Sequence, residues 1–290
     1  MPSPGCGVSV VVRCSDDGSY PRGAIASAVS RGAAVEVVVV EGGPQRSIAA
    51  ARNDGLRAAT KDLMIFLDAD ERLLPGGIDV GVRALGERPD CAMAYGRCLA
   101  TGADGRPSHA PATPSVRSGH YAALLRANLI RVPAAIFRRQ SLVNLGGFRE
   151  GFDGAADYDV YLRVAKSASI WDHEHAVAAR PGSSADATGS PARMLGDTLK
   201  VMRANRPEGD ENLLAAWDEG CRNWQDLYGA QLVDEIRRDL LMRRVGKAAW
   251  KSAVLLRFAP WVLRRELHEG VDGRRRRCVV EDDGAMIARR

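Results

Sequence analysis

Along the first hundred residues, short apolar runs alternate with amphipathic stretches. Residues 8–12 (VSVVV) and 35–40 (VEVVVV) are β-branched runs of strand length. Between them, residues 21–30 predict a helix with proline at its first turn. Residues 47–59 place Ile48, Arg52, Leu56 and Ala59 at helical spacing. The run LMIFL, residues 63–67, is too short for a buried helix and suits a strand covered on both faces. Pro75, Gly76 and Gly77 punctuate the turn into a helix over 76–85, and a strand over 92–99 follows. Strand–helix alternation with short joints predicts an α/β fold with a doubly wound, mostly parallel sheet. Such sheets bind ligands at the carboxyl ends of their strands.

Beyond residue 100 the pattern loosens. Residues 101–115 form a Gly-, Pro- and Ser-rich polar loop, expected to be mobile. A strand is predicted over 132–137, and a helix follows that opens on Asp157 and Asp159 and carries Val160, Tyr161, Arg163 and Val164. A last strand-like piece covers 171–179 and closes on the loop 180–190. Residues 191–267 are helical in pattern, interrupted at Pro207 and Pro260, and the basic tail 269–290 is expected to be disordered.

The strand at 63–67 runs straight into Asp68, Ala69, Asp70 and Glu71. In extended chain Asp68 and Asp70 would lie about 7 Å apart on one side. Carboxylates held so close need a cation or donors between them, and a hard divalent metal carrying phosphate oxygens supplies one. The alternative is that Asp68 or Asp70 caps the next helix. Glu41 also closes a strand, so it and the acidic cluster can face one crevice.

Composition narrows the class. The 290 residues carry a net charge of +5, too modest to imply nucleic acid. No apolar stretch reaches membrane-spanning length, and no basic region precedes the first apolar run, so a cytoplasmic protein is expected. Cys6, Cys14, Cys91, Cys98, Cys221 and Cys278 show no metal-ligand spacing and are read as free thiols.

Several stretches together resemble family-two glycosyltransferases of the GT-A fold. They are VSVVV, EVVVVEGG, AAARNDGLRAATKDLMIFLDADERLLPGGI, IFRRQSLVNLGGFRE and DYDVYLRVA, in that order, over roughly residues 8–184. The acidic triplet after an RN-G helix, then GGF, then DYD-x-x-L-R, is the specific combination. The resemblance implies inverting transfer of a sugar from a nucleotide-sugar, a UDP-sugar first among donors, with Mn²⁺ or Mg²⁺ holding its diphosphate. It implies Asp70 as direct metal ligand and Asp68 nearer the ribose or reaching the metal through water. Glu71 is read as solvated or capping. Glu41 stands where the family has an aspartate contacting the nucleotide, with a surface turn as the alternative. Arg52 matches an arginine near the nucleotide; the alternative is a helix-surface cation paired with Asp54 or Glu41. Asp157 is the implied general base, with Asp159 stabilising the helix, and Ala156 replaces the first acid of the family's pair. Arg180 replaces a histidine and can pair with phosphate; His173 and His175 are left outside the site. Residues 1–190 are then the catalytic domain, with a nucleotide-sugar half over 1–100 and an acceptor half over 101–190. Residues 191–268 form a helical extension.

In that extension Lys247, Lys251, Arg257, Arg264 and Arg265 interleave with Trp250, Phe258 and Trp261. This suits peripheral contact with an anionic membrane at its inner face. The preferred alternative is a helix packed through Leu256, Leu263 and Leu267, and the run 274–277 suits anionic lipid or nucleic acid equally. Two rival functions remain: a non-catalytic nucleotide-sugar-binding relative, and a sugar-nucleotide pyrophosphorylase. The second is expected to carry a glycine-rich basic loop after its first strand, where this chain has RCSDDGSYPRG.

Overall fold

The computed structural model describes residues 7–15, 17–43, 46–102, 115–181, 190–262 and 265. Its centre is one seven-stranded sheet in the order β2-β1-β3-β6-β5-β7-β4. The strands are β1 (Gly7–Arg13), β2 (Ala34–Val40), β3 (Leu63–Asp68), β4 (Arg72–Leu73), β5 (Cys91–Thr101), β6 (Ala135–Arg138) and β7 (Ser169–Pro181). β1, β2, β3, β5 and β7 run one way; β6 and β4 run against them. The mostly parallel α/β sheet expected from the pattern is therefore present, with an antiparallel β6 inserted at its middle.

β3 shows why the apolar run is continuous. Met64 and Phe66 pack into a core on one face, while Leu63, Ile65 and Leu67 pack into a second core on the other. A strand buried on both faces has no polar side to display. The second core is closed by the short helix α1 (Arg22–Ser27) and by α3 (Gly77–Gly86). The first is closed by α2 (Ile48–Ala58) and by α6 (Ala156–Ser167), beyond α4 (His120–Arg126) and α5 (Arg139–Asn144). Ser47 caps α2, its side chain accepting from Ala50 N–H, which fixes where that helix starts.

The C-terminal helices α7 (Pro191–Ala204), α8 (Glu211–Leu241) and α9 (Val245–Phe258) join the same core as α6. Tyr158 donates its hydroxyl to Leu124 O at 2.6 Å, and the Trp224 ring of α8 meets Tyr158 edge-on at 5.5 Å. At Gly220 a Cβ would stand 1.8 Å from Leu125 O, so only glycine lets α8 approach α4 this closely. Among the described residues no helix is long and apolar enough to cross a membrane.

Several expectations are corrected. The stretch 132–137 begins as a single 3-10 turn and becomes strand only at Ala135, because Pro133 has no N–H to give a ladder. The helical pattern over 191–267 breaks at Met242 to Arg244, with Arg243 at φ 56°, as well as near Pro207 and Pro260. α9 packs through Ala248 and Leu255, and Ala259 and Val262 follow it into the core, whereas Leu256 is exposed. Leu263, Leu267 and Arg264 lie outside the described residues, as do most of the polar loop 101–115, residues 182–189 and the tail 269–290. β4, α4 and α5 have no counterpart in the sequence pattern.

Candidate active site

Three strand ends form a row. Register pairs Arg13 with Val40 on one side and with Asp68 on the other. Arg13 donates Nε–H to Asp68 Oδ1 at 2.8 Å, and Arg52 stands 3.6 Å from Asp68 Oδ2. Arg52 is buried in α2 with its guanidinium 5.6 Å from the Phe148 ring centroid. It is therefore not a surface cation paired with Asp54, which takes Arg46 and Arg57 instead. Burial alone would raise the Asp68 carboxyl. Arg52, Arg13 and Arg180 outweigh it and hold Asp68 below the usual carboxylate range.

Extended chain stops at Asp68. Residues 69 and 70 turn, Glu71 N–H donates to Asp68 O at 3.0 Å, and Asp68 N–H donates to Glu71 Oε2 at 2.8 Å. The expected side-by-side placement of Asp68 and Asp70 along one strand face is thereby replaced by a tight turn. Asp70 is left exposed at its tip. Glu71, expected to be solvated or capping, is buried and caps the turn at Asp68 N–H; burial and then the Asp68 charge push its carboxyl up to about 8. A protonated Glu71 spares the turn a second buried charge beside Asp68.

Arg180 belongs to this region. β4 pairs Arg72 with Ala179 and Leu73 with Ala178, which carries the end of β7 beside the turn, and the Arg180 charge is felt at Asp68. Glu41 is exposed just past the row. At Gly42 a Cβ would stand 2.0 Å from Cys14 O, so glycine lets the chain after β2 close on the end of β1.

The motif residues meet across the first core. Asn53 donates Nδ2–H to Phe148 O at 2.8 Å and accepts Phe148 N–H at 2.8 Å, clamping the GGF turn onto α2. Gly146 and Gly147 take φ of 75° and 72°, left-handed values that suit glycine. Asp159 is fully buried and binds Arg163 at 2.8 Å; Arg163 in turn donates to Leu145 O at 2.9 Å and Gly147 O at 2.6 Å. DYD-x-x-L-R thus splits into two jobs: Asp159 and Arg163 fasten the GGF turn, and Asp157 is left half-exposed in the first turn of α6.

Tyr161 links the two halves of the site. It is buried and stacked on Phe137 at 6.2 Å. Burial chiefly raises its phenol well above the ordinary value, and the charges of Asp157, Arg52, Glu71 and Arg131 all reach it. Burial also pushes Tyr228 of α8 up to about 12, with Arg131 and Asp157 nearby. Arg13, Arg131, Tyr161 and Tyr228 were not singled out from sequence. For Arg13 a signal existed: a cation ending an otherwise apolar strand.

Among the described residues no cluster of three or more His, Cys, Asp or Glu side chains is arranged to hold a metal ion. Both Asp68 oxygens face arginines. Asp70 is an exposed hard-oxygen donor, which fits a Mg²⁺- or Mn²⁺-type ion that takes one carboxylate and fills its shell from water and substrate phosphates.

The histidines stand apart in a polar cluster of the β5–β7 side. Arg97 grips Asp172 with two bonds of 3.0 and 3.2 Å, and the His173 and His175 rings lie 5.8 Å apart. Burial, and then His175, push His173 down to about 4, and its buried Nδ1 has no partner among the described residues. A histidine depressed on folding contributes stability above its unfolded value, about 6.5, that is lost as pH falls toward 4. Thermal melts between pH 7 and pH 4.5 are therefore expected to fall more steeply for the wild type than for His173→Gln. Parallel curves would remove His173 from the acid sensitivity.

Residues 11–144 match the family model described as glycosyl transferase family 2. The O-antigen biosynthesis protein RfbC of Myxococcus xanthus is 32% identical over 142 residues, which span 48% of this chain but 11% of that protein. The crystal structure of S. aureus TarS 1-349 superposes with a TM-score of 0.54 at 15% identity, covering 97% of this chain and 99% of that one. Its complex with UDP-GlcNAc gives a TM-score of 0.53 at 14% identity, with the same coverage of 97% and 99%. At such identity the likeness to TarS speaks for the fold. Over residues 11–144, then, the chain is similar to glycosyl transferase family 2, and its fold is of the GT-A type.

Proposed function

We propose that this chain transfers a sugar from a nucleoside-diphosphate sugar to an acceptor hydroxyl, with inversion at the anomeric carbon. One observation carries the reading. The cationic strand-end cluster around Asp68 and the half-buried carboxylate of Asp157 lie near enough to one buried side chain, Tyr161, that the charges of Asp157 and Arg52 both reach it. A donor diphosphate needs the first, and an acceptor hydroxyl needs the second.

Arg13, Arg52 and Arg180 gather positive charge where the diphosphate would lie, and arginine forks suit phosphate oxygens. Asp68, held ionised by them, orients those guanidiniums and reaches toward the ribose. Glu41, past the end of β2, serves the nucleoside side. Asp70, with Asp68 through water, would hold Mn²⁺ or Mg²⁺, which would supply neutralising charge to the leaving diphosphate. Asp157 accepts the acceptor proton as the new glycosidic bond forms. TarS binds UDP-GlcNAc, which supports a UDP-sugar as the first donor to test.

The experiment is donor turnover with added Mn²⁺, before and after chelation, with product anomers read by NMR. Hydrolysis or transfer that stops on chelation and returns with Mn²⁺ supports the reading. Full turnover in excess chelator removes the metal and the role of Asp70. No turnover of any nucleotide-sugar that nevertheless binds would leave a non-catalytic relative, a reading to which the buried Ala156 lends weight.

A further inference from the structure

We infer that the turn between α8 and α9 is a docking tip for an anionic lipid bilayer. α9 returns antiparallel along α8: Lys251 pairs with Asp239 at 2.7 Å and Glu235 at 2.8 Å, and Gln225 donates to Phe258 O at 2.7 Å. The hairpin therefore has a free end, residues 240–247, all exposed. That end is not polar. Leu241 is 84% exposed, Val245 65%, Met242 61% and, on the outer face of α9, Trp250 57%. None is needed for the hairpin seam, which is closed by Leu232, Val233, Ala248 and Leu255. Large apolar side chains grouped on an exposed tip mark a contact surface.

Charge selects the occupant. Arg237, Arg238, Arg243, Arg244 and Lys247 rim the apolar tip, and the one acid between them, Asp239, is buried against Lys251 at 2.7 Å with Arg244 at 4.0 Å. The end of α8 accounts for Arg238, because a helix carboxyl end attracts cations. Arg244, at the cap of α9, is met by Asp239, but Lys247 stands in the first turn of α9, where the helix dipole opposes positive charge. An apolar tip in a basic collar, with a tryptophan beside it, matches a surface whose headgroups are anionic and whose interior is hydrocarbon. The basic–aromatic helix pattern seen in the sequence is thereby relocated: Lys251 is tied to Glu235 and Asp239, and the lipid-facing group is the turn before it. Docking does not depend on the transferase reading. If that reading holds, α8 also sets a distance, because Tyr228 beside Asp157 precedes Leu241 by about 20 Å along the helix.

The test uses the full chain and vesicles of phosphatidylcholine, alone or mixed with phosphatidylglycerol, in a co-sedimentation assay. The wild type is expected to bind the mixed vesicles at low salt, bind neutral ones weakly, and release near 1 M salt, where screening is short-ranged. Leu241→Asp with Met242→Asp, and separately Arg243→Glu with Arg244→Glu, are each expected to weaken binding more than about ten-fold. Both pairs are exposed, and unchanged melting curves would verify the fold. Wild-type binding by both variants overturns the inference, as does absence of binding at low salt. Loss of binding only when the four arginines 274–277 become glutamine moves the contact to the tail. A dimer that Leu241→Asp dissociates gives the tip to a second copy of the chain. Donor turnover, read without lipid, tests the transferase reading separately.

Discussion

Asp157→Asn is expected to lower sugar transfer by about 10²–10⁴-fold, the usual contribution of a positioned general base. Nucleoside diphosphate affinity should stay within a few-fold of wild type. The reason is division of labour. Asp68 with Arg13, Arg52 and Arg180 lies at the strand ends, whereas Asp157 opens α6 across Tyr161. A carboxylate is a far weaker base than an alkoxide. It cannot preform the nucleophile, and can only take the proton while the new bond forms. Its loss therefore falls on the chemical step. Initial rates with a competent acceptor, beside a titration of nucleoside diphosphate, separate the two effects. Equal losses of rate and affinity would place Asp157 in donor binding, and a wild-type rate would take the base off α6.

Asp159→Asn should behave in the opposite way, as a folding defect of about 3–5 kcal/mol. Asp159 is fully buried and meets Arg163 at 2.8 Å, Asn205 Nδ2 at 2.9 Å and Arg149 at 3.4 Å. The amide leaves the buried Arg163 without its counter-charge, and breaking one partner of a buried pair costs more than removing both. Urea unfolding is expected to show a large drop in midpoint for Asp159→Asn and none for Asp157→Asn, whose side chain is half-exposed. Adding Arg163→Met to Asp159→Asn should recover part of the loss, short of wild type, because Arg163 also holds the carbonyls of Leu145 and Gly147. If Asp159→Asn unfolds at the wild-type midpoint yet transfers no sugar, the two aspartates exchange roles.

The hydrophobic pattern alone determined that β1, β2 and β3 are strands, that β3 is covered on both faces, and that acid stands at its exit. It also placed Asp157 and Asp159 at the start of one helix. These are local properties: side-chain period and chain breakers act over a few residues, so they can be read without knowing what packs on what. Which partner each acid takes is a different kind of fact. Arg13 and Asp68 are 55 residues apart and meet only because β1 and β3 are parallel in one register. A one-residue slip would point them to opposite faces. The same dependence hid the burial of Glu71, the grip of Arg163 on the carbonyls of Leu145 and Gly147, and the arrival of Arg180 beside β4. It equally hid the break at Met242 to Arg244, which carries no proline or glycine to announce it. There α9 is turned back by its packing along α8, through Lys251 and the buried Ala248 and Leu255. The residues supplied the charges; the sheet register and the helix packing decided which of them face each other.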